Sequence, residues 1–290
     1  MKVTIVGLGL IGGSLALELK ASGFADSITG VDQNPDHVRE ALKLALVDRV
    51  DSLEKALLEA DFVVLAIPVD AIARLLPRSL SSLRDGATLT DMGSTKEQIC
   101  GSVADHSRRE QFVASHPMAG TEFSGPQAAF KGLFAGKAAV ICESEKSGKE
   151  HLNQVERMYA LLRMRLIRMG SAEHDLHAAY VSHLSHISSF VLANAVLTKE
   201  KNANTIFDLA SGGFESTVRL AKSSPEMWTP IFEQNRTHVV EALEAYIEHL
   251  REFHKTLVTG NFDRTKELMT EANQIRHVLD RITSKGNVQT

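Results

Sequence analysis

The run Gly7-Leu8-Gly9-Leu10-Ile11-Gly12 constrains the fold of this chain more than any other feature of the sequence. It directly follows an apolar β-type segment at residues 3–6 and leads into a helical stretch. Asp32 stands twenty residues after Gly12, at the end of the next predicted strand. A G-x-G-x-x-G string is weak evidence by itself, but the strand, the glycines, the helix and the distant acid together are typical of a dinucleotide-binding βαβ unit.

The residues of this motif have distinct expected tasks. Gly7 allows a tight turn, Gly9 lets the backbone approach a pyrophosphate, and Gly12 brings helix and strand together. Asp32 can accept hydrogen bonds from ribose hydroxyls and would repel a 2′-phosphate, so the sequence predicts NAD rather than NADP as the cofactor. The alternative is a glycine turn that binds no ligand.

The pattern of apolar residues changes near Gly170. Before it, short β-rich segments alternate with helical stretches, and several of these segments are continuously apolar, as strands buried on both faces of a parallel sheet must be. We therefore predict an α/β Rossmann-type domain over residues 1–170, with a mostly parallel sheet and helices on both faces. An all-α domain is predicted over residues 171–290. The predicted strands cover residues 3–6, 28–31, 62–67, 87–90, 112–115, 138–142 and 165–169.

Residue types mark several helix starts and stops. Pro35 after Asn34, Ser52, and the triplet Ser224-Pro225-Glu226 are each expected to begin a helix. In the helical half, a first helix is predicted to run to about Lys199, with an apolar stripe of Leu176, Tyr180, Leu184, Ile187 and Val191. After a break at Gly212-Gly213, a short helix from Glu215 to Lys222 and then a long helix ending near Gly260 are predicted. A last helix from Phe262 to Ile282 and a frayed tail from Thr283 to Thr290 complete the prediction. Because long helices with wide apolar faces often need a partner, we expect a homodimer through this half.

Composition and charge exclude several classes of function. With 43% apolar and 23% charged residues the chain is expected to fold, and a net charge of −4 without a dense basic cluster argues against nucleic-acid binding. No apolar stretch reaches the ~20 residues that span a bilayer, and the chain begins directly with a strand, so no membrane contact and a cytoplasmic location are expected. Cys100 and Cys142 have no close spacing, which predicts neither a disulfide framework nor a thiolate metal site.

Three further segments follow predicted strands, where ligands bind in open parallel sheets. They are Ile67-Pro68-Val69-Asp70, Asp91-Met92-Gly93-Ser94-Thr95-Lys96, and the loop from Ser115 to Glu122. His116 leaves its strand into a Pro/Gly loop at the expected cofactor face, so it is placed to accept a proton while a hydride leaves the same carbon. The alternative is a loop histidine that is hydrogen-bonded to backbone.

Charged and metal-binding side chains also occur in the helical half. At about 100° per residue, His183 and His186 face roughly opposite to His174 and His177, so a four-ligand metal cluster is not expected, although one pair can still face the cleft. Arg219 is the natural bidentate clamp for a substrate carboxylate, although a lone helical arginine is usually solvated or paired in a salt bridge.

Five segments, in this order, resemble the prephenate and arogenate dehydrogenases of tyrosine biosynthesis. They are the glycine run continued by Gly13-Ser14, Asp91-x-Gly93-Ser94-x-Lys96, His116-Pro117-Met118-Ala119-Gly120-Thr121-Glu122, Ser182-His183-Leu184-Ser185-His186, and Gly213-Phe214-x-x-x-x-Arg219-x-Ala221. The resemblance covers nearly the whole chain. It implies NAD-dependent oxidative decarboxylation of prephenate to 4-hydroxyphenylpyruvate by a homodimer that is built through the helical half.

The resemblance also implies roles for individual residues. His116 would take the proton of the ring hydroxyl, and Ser94 would assist at the same hydroxyl. The implied substrate-binding residues are Arg219 at the ring carboxylate, His186 at the substrate side chain, Glu122 at the mouth of the site, and His183 and Trp228, which line or support the pocket. The expected cofactor-binding residues are Gly7, Leu8, Gly9, Leu10, Ile11, Gly12, Asp32, Ile67 and Pro68.

Two departures from the family pattern leave alternatives open. Ser185 replaces a frequent proline, and Glu215 stands where some relatives carry a basic residue. A carboxylate at Glu215 would tolerate the ammonium group of arogenate better than the keto acid of prephenate, so arogenate dehydrogenase is the first alternative. More distant alternatives are a β-hydroxyacid dehydrogenase or imine reductase and a non-catalytic NAD-binding protein.

Overall fold

The computed structural model describes residues 1–203 and 205–280. Within them, eight strands form one sheet: β1 (Lys2–Val6), β2 (Ser27–Val31), β3 (Arg49–Val50), β4 (Phe62–Leu65), β5 (Thr88–Asp91), β6 (Phe112–Pro117), β7 (Ala138–Cys142) and β8 (Arg165–Met169). The α-helices are α1 (Leu10–Ala21), α2 (Pro35–Lys43), α3 (Leu53–Glu59), α4 (Val69–Ser82), α5 (Glu97–Gly101), α6 (Lys149–Leu161), α7 (Ser171–Ala178), α8 (Leu184–Ala203), α9 (Gly212–Val218), α10 (Pro225–Gln234), α11 (Arg236–Val258) and α12 (Phe262–Ala272).

The strands follow the order β3-β2-β1-β4-β5-β6-β7-β8, which begins as the doubly wound order of dinucleotide-binding domains. Strands β1 to β6 pair in parallel, whereas β7 runs antiparallel to β6 and parallel to β8. All seven predicted strands and the mostly parallel α/β sheet are confirmed. The sequence did not reveal β3, because its two residues, Arg49 and Val50, form no apolar run.

The continuously apolar strands are explained by the two faces of the sheet. In β4, Phe62 and Val64 pack into one apolar core, while Val63 and Leu65 pack into the other. Side chains alternate between the faces of a strand, so a strand with helices on both sides needs apolar residues at every position.

The predicted helix starts are confirmed at their caps. The Asn34 side chain accepts the N–H of Asp36 at the start of α2. Ser52 caps α3 in the same way, and Ser224 accepts the N–H of Met227 at the start of α10. Each cap satisfies a backbone donor that the first turn of a helix leaves without a partner.

The helical half departs from the sequence expectation at three points. Between α7 and α8 the chain stays helical, but the five residues Ala179–His183 form a π turn. Gly212 and Gly213 do not end a helix; they form the first turn of α9, and Arg219–Lys222 follows as a 3-10 turn. The expectation of one long helix from Pro225 to about Gly260 is wrong, because the chain leaves the helical conformation at Asn235 (φ −103°, ψ 25°). The Asn235 side chain donates instead to the carbonyl oxygen of Asp175, which favours a break there.

By its internal contacts the chain divides into two compact units, Met1–Asn235 and the segment from Arg236 onward. The first unit includes α7 because Asp175 on that helix binds backbone amides at the start of α5. A functional boundary near residue 170 therefore stays a prediction. The tail expected from Thr283 to Thr290, and the last residues of the helix expected to end at Ile282, lie outside the described residues. Within residues 1–203 and 205–280, every helix is too short or too polar to cross a membrane.

Candidate active site

The glycine run forms a turn at the carboxyl end of β1, and its glycines differ in what surrounds them. Gly7 has a φ of +97°, and a methyl group added there would lie 2.3 Å from the carbonyl oxygen of Ala66. A methyl group at Gly12 would lie 1.9 Å from the carbonyl oxygen of Gly7. At Gly9 the same position has no described heavy atom within 4 Å. Gly7 and Gly12 thus shape the turn, and Gly9 leaves open space at the start of α1, where a pyrophosphate can meet helix amides.

Asp32 lies at the carboxyl end of β2 and is held by the same turn. One carboxylate oxygen accepts the N–H of Leu8 at 2.8 Å, and the other accepts the N–H of Asn34 at 2.8 Å. Leu8 itself is a fully buried core residue, so its contribution to a cofactor site is to orient Asp32. His37 Nδ1 lies 3.4 Å from Asp32, a neighbour that the sequence did not single out.

Ile67 and Pro68 lie across the sheet from Asp32, on the other side of the glycine turn. A methyl group added at Gly7 would lie 2.8 Å from the Ile67 side chain, and Pro68 is the cap residue before α4. They follow β4, which pairs with β1 where the strand order changes direction. Open α/β sheets bind their ligands at this switch point, so Ile67 and Pro68 lie where the sequence predicted.

Ser94 and His116 come from two neighbouring strands. Leu89 pairs with Phe112 and Thr90 with Val113 in the parallel ladder of β5 and β6. Extended by three residues, this register places His116 opposite Gly93, next to Ser94. Gly93 donates its N–H to Asp91, which folds the loop back, and Ser94 is half-buried in that loop. Both residues therefore belong to the edge of the sheet that carries the glycine turn.

A line of hydrogen bonds joins His116 to the helical half. His116 Nδ1 lies 2.8 Å from His174 Nε2, and His174 Nδ1 lies 2.7 Å from Asp175 Oδ1. Asp175 also accepts the backbone N–H groups of Lys96 and Glu97 at 2.7 and 2.9 Å. His174 and Asp175 are buried. Neither residue was among the functional candidates that the sequence predicted.

A buried ion pair lies beneath His116. The ammonium group of Lys96 donates to Asp91, and both side chains have no exposed surface. Lys96 also donates to the carbonyl oxygen of Ser115 at 2.7 Å, while the Ser115 hydroxyl contacts Tyr159 at 2.6 Å. A buried charge is tolerated only when it is paired and hydrogen-bonded, so this network fixes the backbone immediately before His116.

The electrostatic surroundings of His116 oppose its protonation. Desolvation is the main cause, and the nearby His174 and Lys96 add to it, so the pKa of His116 lies well below its usual value of 6.5. Burial likewise lowers the pKa of His183 to about 4, although Asp175 opposes this shift. Both imidazoles are therefore neutral at neutral pH. A neutral histidine is what a general base requires before it takes a proton.

An aromatic cluster surrounds the second histidine pair. The rings of His186 and Trp228 stack at 3.6 Å between centroids, and His183 meets Trp228 edge-on at 5.8 Å. His183 Nδ1 lies 3.1 Å from the Asn235 side-chain amide. The structure thus brings together His183, His186 and Trp228, as the resemblance implied. Burial lowers the pKa of His186, and the nearby Arg219 contributes to that shift.

Arg219 lies beyond His186, on the 3-10 turn after α9. The Ser189 hydroxyl on α8 donates to the carbonyl oxygen of Thr217 at 2.9 Å and ties the end of α9, just before Arg219, to α8. Arg219 donates to Glu122 at 3.2 Å, and its side chain is 49% exposed. An exposed ion pair of this kind is weak and exchangeable, so the guanidinium is free to bind another carboxylate.

The expectation that His174 and His183 face opposite sides of one helix is wrong. The two residues are nine positions apart, which puts them about half a turn out of phase in a regular α-helix. The π turn at Ala179–His183 lies between them, and its i→i+5 bonds change that phase. Both rings are buried around Asp175 and Asn235, whereas His177 is exposed. Within the described ranges, no three His, Cys, Asp or Glu side chains are grouped as a metal site requires.

Comparisons with known proteins agree with this geometry. A family model for the nucleotide-binding domain of prephenate dehydrogenase matches residues 15–168, and one for its dimerization domain matches residues 170–271. The prephenate dehydrogenase of Bacillus subtilis is 33% identical over 256 residues, which are 86% of this chain and 69% of that protein. The prephenate dehydrogenase from A. aeolicus, solved in complex with hydroxyphenyl propionate and NAD+, has a TM-score of 0.88 at 31% identity and covers 96% of this chain and 98% of its own. An arogenate dehydrogenase from Synechocystis has a TM-score of 0.76 at 27% identity and covers 96% of this chain and all of its own.

Proposed function

The chain belongs to the prephenate dehydrogenase family, and we propose on this basis that it oxidises prephenate to 4-hydroxyphenylpyruvate with NAD. In this reaction the ring C–H bond at the hydroxyl-bearing carbon breaks, and its electron pair leaves as a hydride while the hydroxyl proton passes to a base. The ring C–CO2 bond then breaks, carbon dioxide leaves, and the electron pair completes the aromatic ring. The proton returns from the base to the phenolate oxygen, so the products are 4-hydroxyphenylpyruvate, carbon dioxide and NADH.

The residues around the glycine turn fit NAD. Gly9 and the start of α1 offer open space and backbone amides to a pyrophosphate, and Asp32 offers a carboxylate to the ribose hydroxyls. When bound, NAD supplies the nicotinamide carbon that accepts the hydride. The polypeptide orients that ring, excludes water and moves the proton.

The observation that carries the proposal is the position of His116. This neutral histidine lies at the same edge of the sheet as the glycine turn. His116 takes the proton of the ring hydroxyl, and Ser94 donates or accepts a hydrogen bond at the same oxygen. The negative charge of Asp175, two residues along the hydrogen-bonded line, stabilises the line when His116 becomes cationic. The low pKa of His116 also makes it a ready donor when the proton returns to the product.

The substrate's remaining groups are assigned to the helical half. Arg219 exchanges its partner Glu122 for the ring carboxylate, because a guanidinium binds a carboxylate with two parallel hydrogen bonds. His186 contacts the keto acid side chain, with Trp228 stacked behind it and His183 supporting that stack. Glu122 remains at the mouth of the site. We assign cofactor binding to residues 1–170 and substrate binding to residues 171–290 together with the loop at Glu122.

Turnover with two substrates tests the proposed function. The purified protein is supplied with NAD and with either prephenate or arogenate at equal concentration, and NADH absorbance is followed. We expect rapid turnover of prephenate. A preference for arogenate would reassign the substrate and keep the hydride and proton chemistry, whereas turnover of neither would contradict an enzyme of this family.

The Asp32→Ala variant is expected to change cofactor choice. A carboxylate beside a 2′-phosphate repels it, and like charges in contact cost several kcal/mol, so removing Asp32 should raise the ratio of kcat/KM with NADP to that with NAD by at least about 10-fold. The KM for NAD should rise in the same variant. Steady-state kinetics with each cofactor measure both effects.

The matched control for this prediction is Asp36→Asn, which removes a carboxylate one turn away. Asp36 is exposed and pairs with Arg39. Its cofactor ratio should stay within about twofold of the wild type. Equal use of NAD and NADP by the unmodified protein would contradict the role given to Asp32.

We also propose that the chain forms a homodimer through its helical half. Exposed apolar side chains are concentrated there, in α8 at Val191 and Leu197 and in α11 at Leu250 and Val258. Large exposed apolar patches mark interaction sites. Light scattering should give twice the 31.7 kDa chain mass, and Val258→Glu or Leu197→Glu should lower it. Leu58→Glu, at an exposed leucine of α3, is the control, and a monomeric wild type would contradict the proposal.

A further inference from the structure

His116 is bonded through Nδ1 to His174, a residue to which the reaction above assigns no contact with substrate or cofactor. The hydrogen bonds continue from His174 to Asp175 and from Asp175 to backbone amides. Histidine nitrogens are either donors or acceptors, depending on where the proton sits. The protonation state of Asp175, at one end of this line, therefore decides which nitrogens of His174 and His116 carry protons.

Asp175 is the fixed end of the line. Its two oxygens accept the N–H groups of Lys96 and Glu97, the amides at the start of α5. Hydrogen bonds from backbone amides favour the charged form of a carboxyl group, and an ionised carboxylate has no proton to donate. In the 2.7 Å contact with Asp175, His174 Nδ1 must therefore be the donor.

The remaining protons follow from this first assignment. A neutral imidazole has one N–H and one lone pair, so a proton on Nδ1 of His174 leaves its Nε2 as an acceptor. In the 2.8 Å contact between the two histidines, His116 Nδ1 must then donate. The lone pair of neutral His116 is consequently on Nε2, and that nitrogen receives the proton from the substrate.

The surroundings of His116 support a neutral ring in this tautomer. The fully buried ammonium group of Lys96 is bonded to the carbonyl oxygen of Ser115, the residue next to His116, and it opposes a second positive charge there. The opposite arrangement would place the proton on Nε2 of His116, and the lone pair would then lie on Nδ1, facing His174 instead of the hydroxyl.

We propose that Asp175 and His174 are positioning residues that hold His116 in its Nδ1–H tautomer and aim the Nε2 lone pair at the hydroxyl of the substrate. The inference rests on the proposed function for the identity of the substrate. The tautomer, however, is a property of the protein without substrate, so it can be measured separately from activity.

The direct test is a proton-detected nitrogen spectrum of the full chain, labelled with 15N in its histidine rings. Long-range couplings between ring protons and ring nitrogens show which nitrogen carries the proton, and the His116→Asn variant assigns the signals. We expect neutral His116 to be protonated on Nδ1 and His174 to be protonated on Nδ1. A proton on Nε2 of His116, or an imidazolium at His174, would overturn the proposal.

Variants at His174 connect the tautomer to the rate. His174→Leu removes the acceptor, so His116 should lose both its single tautomer and its fixed ring orientation, and kcat should fall by about 10- to 100-fold, with both KM values within about threefold of the wild type. The amide oxygen of His174→Gln reaches the position of Nε2 and should restore most of kcat. His177→Leu, at an exposed histidine on α7, is the matched control and should leave kcat unchanged.

Asp175→Asn tests the fixed end of the line. Each oxygen of Asp175 accepts a backbone N–H, so the NH2 group of asparagine must face one of these donors in either orientation, and kcat should fall. Where the NH2 group faces His174 Nδ1, every proton in the line is reversed, and a wrong tautomer of this kind costs about 10,000-fold in the serine protease triad. If this variant does not fold because its contacts to α5 are lost, the two His174 variants and the spectrum still decide the question. Wild-type kcat in His174→Leu would overturn the positioning role of His174 and Asp175, whereas the expected tautomer without prephenate turnover would contradict the proposed function alone.

Discussion

The His116→Asn variant is expected to lose about 100- to 10,000-fold in kcat, the usual contribution of a positioned base. Asparagine keeps an N–H near the position of Nδ1 and can still donate to His174, but it places no proton acceptor where Nε2 lies. The affinity for NAD and the melting temperature should stay close to the wild-type values. Initial rates from NADH absorbance, together with an NAD titration by fluorescence, measure these quantities.

The control and the pH profile separate a catalytic role from a structural one. His177→Asn changes an exposed histidine of α7 and should leave kcat unaltered. Burial, with His174 and Lys96 nearby, lowers the pKa of His116, and only the neutral base works. The wild-type kcat/KM should therefore stay level as the pH falls through 6.5 and decline only below it. A kcat within threefold of the wild type in His116→Asn would show that another group takes the proton.

Arg219→Ala is expected to raise the KM for prephenate by about 10- to 100-fold and to leave the KM for NAD within about twofold. Hydrogen bonds to charged groups contribute about 1.5–3 kcal/mol, and each 1.4 kcal/mol is a factor of ten in affinity. Arg219 is half exposed and bound to Glu122. Its removal therefore affects the bound substrate far more than the fold, which a melting curve of the variant can verify.

Two variants define what the guanidinium contributes. Arg219→Lys keeps the positive charge but loses the planar pair of donors, so its KM should lie between the wild type and the alanine variant. Lys222→Ala removes an exposed cation from the same turn and should change the KM for prephenate by less than threefold. An unaltered KM in Arg219→Ala would show that this arginine does not bind the substrate.

The parts of the fold that could be predicted are those set by neighbouring residues. The seven longer strands are apolar runs or β-rich segments, and the caps at Asn34, Ser52 and Ser224 act on amides two or three residues away. The glycine turn likewise depends on spacing within six residues. Strand β3 has only two residues, so no local pattern could reveal it.

The site could be predicted only in part. Lys96 is fully buried against Asp91, which no local pattern indicates, although both residues belong to one of the motifs singled out from the sequence. His174 was placed in a helical pattern whose phase a regular α-helix would fix, and Asp175 was not singled out. The adjacent His-Asp pair on a predicted helix was the available signal, because such side chains need partners when they are buried.

The sequence by itself determined the sheet, the cofactor turn with its acid, and the family, because these follow from local spacing and from side-chain chemistry along the chain. Only the tertiary structure decided that His116 meets His174, fifty-eight residues away, and that a π turn after His174 changes the phase at which His183 follows. It also decided that Asn235 interrupts a helix in order to bind the carbonyl oxygen of Asp175. Such contacts depend on how distant elements pack, and no periodicity within one segment contains that information.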